Sequence, residues 1–495
     1  MGTKAFTAKL LYRFSLEDQV PEDHLLRRVA RAVDVAFVRR LTARFYSHTG
    51  QPSVDPVVLF KMALLGWLYG ITSERRLAEE IRLHLAYRWF VGYDLDETPP
   101  DHSALSKARA RFGVTTYLAF FTEIVRQCER AGLVRGDLLY LDSTLVAANA
   151  SLASVGARAL VAQLAGPAEH VAALWQENPP APGHPEAAPP HLSTPADPPN
   201  GPAPGRANEW AVSRTDPDAE LVRHEGVPLG LYHKVHLGVD GGRARIITAV
   251  EATPGAIADE DLLDRLIKEH EGTTGRTVAE AVADAKYGTH ANYRALEERT
   301  IRASIPPHDG RGKTRAVPGS AFVYEIGQDA FRCPEGHVLR RQGSSCSARA
   351  GGGVIYRASP KVCGACTRRA ACCGSAKART ITRPDDTGLY DRTRAYLRTP
   401  HARRSMRLRK CWAETAVAEV KERHGLRRAQ CRGQAKVRIQ ALGVALAYDA
   451  KKLAQHLGRR SAEPALALPL PQNRHQRRSA PARRAHRRRR ATTHR

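Results

Sequence analysis

The chain has 495 residues, enough for two or three domains and a sizeable core, and 42% of them are hydrophobic, which is ordinary for a globular protein. Its formal charge of +27 is not ordinary and calls for a polyanionic partner, nucleic acid first. The opening MGTKAFTAKLLYRF lacks the apolar core and cleavage site of a secretory signal, and no apolar run is long enough to span a bilayer. Secreted and membrane classes are therefore excluded, and a cytoplasmic, nucleoid-associated protein is expected.

Residues 24–41, HLLRRVARAVDVAFVRRL, have the period of an amphipathic helix with a basic outer face. In PSVDPVVLFKMALLGWLYGITSERRLAEEI a Pro-led apolar helix should stop near Gly70, and Ser73 should cap the next one. AYRWFVGYDLDETPPDHSALSKARARF, residues 86–112, adds aromatic anchors, a Pro-Pro break and another capped, basic helix. Residues 1–125 are thus expected to be an all-helical N-terminal domain, whose basic faces make it the candidate DNA-binding domain. Helix, Gly turn, helix is the outline of a helix-turn-helix reader as well as of plain helical packing.

LYLDSTLVAANAS, residues 139–151, is a strand-like apolar run holding one carboxylate, Asp142, which needs a hydrogen bond, a counter-charge or a cation to sit there. The Pro-, Ala-, Gly- and His-rich stretch at about residues 160–210 is expected to be a disordered insertion. LYHKVHLGVD and ARIITAVEATPG form a hairpin through a Gly-Gly turn, and ADEDLLDRLIKEHEG a helix. TVAEAVADA is a strand that delivers Asp284 at its end, and IRASIPP is the last strand. His233 and His236 are expected to be structural. Residues 126–306 accordingly form the first part of an α/β domain, a mixed sheet with helices on its faces.

Residues 307–400 form a Cys-rich insertion. Six of the nine cysteines lie between Cys333 and Cys373, which fits metal ligands in a reducing compartment. CPEGH, CGAC and Cys372 offer a tetrahedral zinc-ribbon-like site from Cys333, Cys363, Cys366 and Cys372, with Cys373, Cys346 or His337 as alternatives for the fourth place. The alternative to a zinc site is a set of free thiols. Residues 401–457 return to the sheet. There KCWAETAVAEVKERHGLRRAQCRG, residues 410–433, is a helix with the apolar stripe Ala413, Ala416, Val417 and Val420 and with Glu414 beside it. At 3.6 residues per turn Lys410 and Lys421 share the Glu414 face, while Glu419 and Glu422 lie round the helix toward solvent. A closing helix near 434–456 precedes a disordered basic tail, 458–495, with ten arginines in its last 22 residues.

These blocks, in this order, resemble DDE-type transposases of bacterial insertion sequences. PSVDPVVLFKMALLGWLYGITSERRLAEEI, AYRWFVGY and PDHSALSKARAR are similar to the family's helical leader. LDSTLVAANAS, TDPDA, YHKVHLGVD and ADAKYG are similar to its catalytic strands. Lys410, Glu414 and Lys421 fit its pattern of a basic residue, three others, Glu, six others, Lys. Arg407 stands where a Tyr is usual, and Ala416 to Ala418 where bulkier residues usually follow the Glu. The resemblance implies a ribonuclease-H-like mixed sheet and makes Asp142, Asp284 and Glu414 the catalytic acids. Three carboxylates suit Mg²⁺ or Mn²⁺, and such sites usually run two metals, so no nucleophilic side chain is needed. Lys410, Lys421, Arg427, Arg428 and Lys436 are the expected DNA contacts. The implied function is binding of an element's terminal inverted repeats, metal-dependent cleavage and transfer to target DNA, by a homo-oligomer assembled on double-stranded DNA. The alternatives are a non-catalytic DNA-binding protein on the same scaffold and a nuclease without strand transfer.

Overall fold

The computed structural model describes residues 14–46, 53–158, 207–224, 226–307, 317–345, 353–384 and 387–462. Most of the Pro-rich insertion, Cys346 and nearly all of the basic tail lie outside the described residues.

The N-terminal region is helical. The expected helix over 24–41 is two, α1 (Leu25–Ala32) and α2 (Phe37–Thr42), with Val33 extended between them. The break has a tertiary cause. Gln127, 93 residues away in the sequence but adjacent in the fold, accepts from the Asp34 N–H at 3.0 Å and donates to the Asp34 carbonyl at 2.7 Å. Helix α3 (Pro56–Tyr69) starts as the sequence predicts, with Asp55 accepting from the Val57 N–H and Pro56 at the first position, and it stops at Gly70 (φ 65°). Gly70 is required there twice over, because a Cβ would also lie 2.8 Å from the Arg423 carbonyl. Ser73 caps α4 (Glu74–Leu83), α5 spans Leu85–Val91, and Asp101 caps the 29-residue α6 (His102–Arg130), kinked at Gly113.

The central sheet is built from β1 (Leu138–Ala147), β2 (Glu220–His224), β3 (Val227–Asp240), β4 (Ile247–Pro254), β5 (Glu280–Val282) and β6 (Arg302–Ser304). Strand β1 pairs antiparallel with β3 and parallel with β5, β5 pairs parallel with β6, and β4 forms the expected hairpin with β3. Alternation along β1 sends Leu139 and Leu141 to the face covered by α7 (Leu263–Thr274) and α8 (His290–Glu298). Tyr140 and Val146 point to the other face, into a core shared with the N-terminal helices.

Residues 323–384, expected only as an insertion, form a separate antiparallel sheet. Its strands are β7 (Val323–Glu325), β8 (Ala330–Arg332), β9 (Val338–Ser345), β10 (Gly353–Ala358) and β11 (Thr380–Pro384), in the order β11-β10-β9-β8-β7. The chain then runs through α9 (Thr387–Leu397) and α10 (Pro400–Arg409), a single π turn over Lys410–Glu414, α11 (Thr415–Arg423) and α12 (Gln434–Ala462).

Helix α12 ties the regions together. Its start is held by the TDPDA segment, where Asp216 accepts from the Gly433 N–H at 3.0 Å and Asp218 from the Gln434 N–H at 2.8 Å. Leu442, Ala445, Leu446 and Leu453 are buried between α6, α1 and the sheet. Buried Asp449 accepts from the Ile247 N–H of β4 at 2.9 Å. Gly443 lies so close to the Trp67 ring of α3 that a Cβ would fall 2.3 Å from it. The N-terminal helices and one face of the sheet therefore share a single apolar core through α12.

Candidate active site

Asp142 sits mid-strand on the face of β1 that carries Tyr140, and it pairs across to Leu237 of β3. Parallel pairing of Tyr140 with Val282 fixes the neighbouring strand's register. Asp142 and Asp284 each come two residues beyond this last pair, so the register directs both aspartates to the same end of the paired strands. Strand β5 has ended by then, and Asp284 caps the turn Ala285–Tyr287 by accepting from the Lys286 N–H at 3.0 Å.

Glu414 arrives from the third direction. Ala413, Ala416, Val417 and Val420 are all buried, as their spacing predicts, and they fix the helix against the core. Trp412 stacks obliquely near Tyr140, with ring centroids 6.3 Å apart, and donates to the Gly242 carbonyl at 2.8 Å. The π turn places Arg409 rather than Lys410 against the acids. Its guanidinium stands 3.0 Å from Glu414 Oε1 and 3.7 Å from Asp142 Oδ1, while Lys410 is exposed.

Burial pushes the Asp142 carboxyl up to about 6; the Arg409 charge and the Ser143 N–H oppose this, and the charges of Asp284 and Glu414 add to it. The three acids thus share one electrostatic environment. Beneath them the buried Tyr287 phenol is raised well above its usual range by burial and by the charges of Asp259, Asp284 and Asp142. Its hydroxyl has no hydrogen-bond partner among the described residues. Among the described residues no three His, Cys, Asp or Glu side chains stand close enough together to hold a metal ion, and it is the Arg409 guanidinium that bridges Asp142 and Glu414. The donor set itself, carboxylate oxygens beside an unpartnered phenol, is hard and suits Mg²⁺ or Mn²⁺.

Two residues at this site were not singled out in the sequence. One is Arg409. The other is Asp259, 3% exposed, which lies 3.4 Å from Lys234, 3.4 Å from Lys286 and 3.5 Å from His236, and which also interacts with Ser143, the neighbour of Asp142. Its only sequence signal is that of a first-turn acid, which solvent-facing helix starts share. His236 and His233 are structural, as expected: both are buried, His236 beside the Thr253 hydroxyl at 3.0 Å and His233 beside Asp216 at 2.9 Å.

The expected DNA contacts are spread along one end of β1. Lys421, half-buried, donates to the Leu145 carbonyl at 3.4 Å. The segment after α11 runs beside β1, with the Ala429 N–H donating to the Ala147 carbonyl at 2.8 Å, which leaves Arg427 and Arg428 exposed there. Arg427 is paired with Glu422. Lys436 is exposed on the first turn of α12. Glu419 does not face solvent as expected. It is ion-paired with Lys451 at 2.8 Å and Lys452 at 3.1 Å on α12.

Among the described residues the insertion's cysteines share a pocket, although no three of them stand close enough together to hold a metal ion. Cys333, His337, Cys363, Cys366, Cys372 and Cys373 line one pocket at the base of the second sheet. CPEGH forms a tight turn in which the Gly336 N–H donates to the Cys333 carbonyl at 2.9 Å and the His337 N–H to the Cys333 Sγ at 3.3 Å, with Gly336 at φ 82°. Burial, then the neighbouring Cys363 and Cys372, push the Cys373 thiol up to about 11. Cys128 is buried, Cys411 exposed and Cys431 half-buried, the last accepting from Arg109 at 3.0 Å.

Two family models match the chain: a transposase domain (DUF772) over residues 14–111 and a transposase DDE domain over residues 332–454. The second takes in the Cys-rich sheet from the end of β8 onward, Glu414 and most of α12, and a DDE domain implies a ribonuclease-H-like fold for the sheet these elements close. No curated protein matches the chain.

Proposed function

The chain is a DDE-type insertion-sequence transposase, and from that premise we propose that Asp142, Asp284 and Glu414 cut and rejoin DNA at the ends of its element. The observation that carries this reading is that Asp142 and Glu414, from distant segments, meet at the Arg409 guanidinium, with Asp284 two residues beyond the last pair that joins its strand to that of Asp142. Divalent metals are general in the family, and these acids would hold Mg²⁺ or Mn²⁺, whose Lewis acidity activates an attacking water or 3′-hydroxyl and stabilises the leaving 3′-oxygen. The protein's own part is to bind and align. Lys421 and the exposed Arg427 and Arg428 border the end of β1 and can neutralise backbone phosphates, and Lys410 and Lys436 extend that surface. A net charge of +27 supplies the long-range attraction.

The test is direct. The full-length chain, Mg²⁺ and a duplex carrying the inverted repeat that flanks its gene should give a nick at the repeat's end and then a joined product on added target DNA. Specific binding without any nick would favour a non-catalytic binder; a nick that never joins would favour a plain nuclease. Assembly of more than one chain on paired ends is part of the same proposal.

The Cys-rich sheet is read here as a zinc-ribbon-like unit held by Cys333, Cys363, Cys366 and Cys372. Two features support it. The N–H to sulfur bond in the CPEGH turn is suited to a thiolate ligand, and the unit's own core is small: Phe322, Leu339, Tyr356, Ala358, Cys363, Cys373 and Ala378. Cys363 and Cys373 both belong to that core and Cys333 and Cys372 pack against it, so Cys372 is proposed for the fourth place with Cys373 or His337 as its alternatives. About one zinc per chain should copurify, since a four-ligand structural site stabilises the fold; elemental analysis of a folded preparation that finds none would remove the site.

A further inference from the structure

We propose that Arg409 is a placeholder cation, which keeps Asp142 and Glu414 together while they carry no metal and has to leave both carboxylates when divalent ions bind. The inference rests on the transposase reading of these acids.

The geometry of the π turn is its first support. In an α-helix, residues five apart lie roughly 140° from each other round the axis and do not meet. The π turn over Lys410–Glu414 widens one turn and brings Arg409 onto the Glu414 side, where its guanidinium reaches Glu414 at 3.0 Å and Asp142 at 3.7 Å. The Arg409–Asp142 end of this bridge is shielded, with side chains 14% and 19% exposed, while Glu414 at the other end is 46% exposed. Lys410, the residue that regular helical spacing pairs with Glu414, is exposed instead.

Charge gives the second support. The charges of Asp284 and Glu414 both act against the ionised Asp142 carboxyl, and one planar cation that reaches Asp142 and Glu414 relieves part of that repulsion. A divalent ion bound by the same oxygens would sit about 2.1 Å from them, within repulsive reach of a guanidinium already in contact. The two cations therefore compete, and linkage makes the metal's affinity lower by whatever the Arg409 contact contributes. A guanidinium released next to the metal-bound acids has a natural partner in a DNA phosphate.

The test is Mn²⁺ binding to the full-length protein without DNA, measured by calorimetry or by the electron-spin signal of free Mn²⁺. Arg409→Gln should bind Mn²⁺ at least roughly threefold tighter than the unaltered chain, the size expected on losing a partly shielded ion pair. Arg409→Lys, which keeps the charge without the fork, should fall between the two. Loss of a merely structural contact would loosen the acids and weaken binding, so unchanged or weaker affinity overturns the proposal. In the unaltered chain, Ca²⁺ should change amide hydrogen exchange across residues 410–415. No change there at saturation overturns it as well, whatever the variants do. If the unaltered chain binds no Mn²⁺ at all, the metal site itself is wrong, which is a different result from equal affinities in chain and variant.

Discussion

Glu414→Gln should abolish Mg²⁺-dependent cleavage of element-end DNA while leaving affinity for that DNA nearly unchanged. The amide keeps the shape of the side chain and its place on the π turn but removes the charge a divalent ion requires. The loss should be about a thousandfold or more in the single-turnover cleavage rate, equivalent to about 4 kcal/mol of transition-state stabilisation. Asp142→Asn should behave alike, because Asp142 lies within reach of the same guanidinium as Glu414. Glu422→Gln is the control. Glu422 is exposed and pairs with exposed Arg427, so cleavage by that variant should be close to normal. A Glu414→Gln protein that still cuts would show that the third acid lies elsewhere.

Glu419→Gln should instead lower stability and leave the chemistry intact. Burial alone would raise the Glu419 carboxyl, yet the hydrogen bond from Lys451 and the charges of Lys452 and Lys451 bring it down to about 2. Both lysines are themselves mostly buried, so the amide strands two cations between α11 and α12. The cost at neutral pH should be about 1–3 kcal/mol, less than the full linkage value because the site keeps some contact with water. The sign follows from a depressed carboxyl. Its contribution is fully present above its unfolded value and is lost as pH falls from about 5 towards 2, so the melting-temperature gap should be widest near neutrality and close on acidification. A gap that grows toward low pH would contradict the ion-pair account.

Much of the site was legible because an acid inside an apolar run stands out. Asp142 and Asp284 were singled out that way, and the stripe Ala413, Ala416, Val417, Val420 is buried as its spacing predicts. Arg409 was not legible, since regular helical spacing pairs Glu414 with Lys410 and no residue type announces a π turn. Glu419 was expected to face solvent because its partners lie 32 and 33 residues away on another helix. The helix over 24–41 was split by Gln127, again a partner outside any local window. The second sheet escaped for a different reason. Strands such as VLRRQGSS and TITRP carry Arg, Gly and Ser in place of apolar alternation, and in β9 only Leu339 is fully buried.

The place of α12 in the core has a consequence for how the chain is made. Helices α3 and α6 bury their apolar faces against α12, although roughly 300 residues of synthesis separate the end of α6 from its start. At ribosomal speeds of about 5–20 residues per second, the nascent N-terminal helices wait about 15–60 s for that partner. During that interval Trp67 has no Gly443 to lie against and Ile247 no Asp449 to receive its N–H. Fragments that end before Gln434 should accordingly need a chaperone to stay dispersed, and a DNA-cutting centre should not assemble on a chain still being translated through its middle.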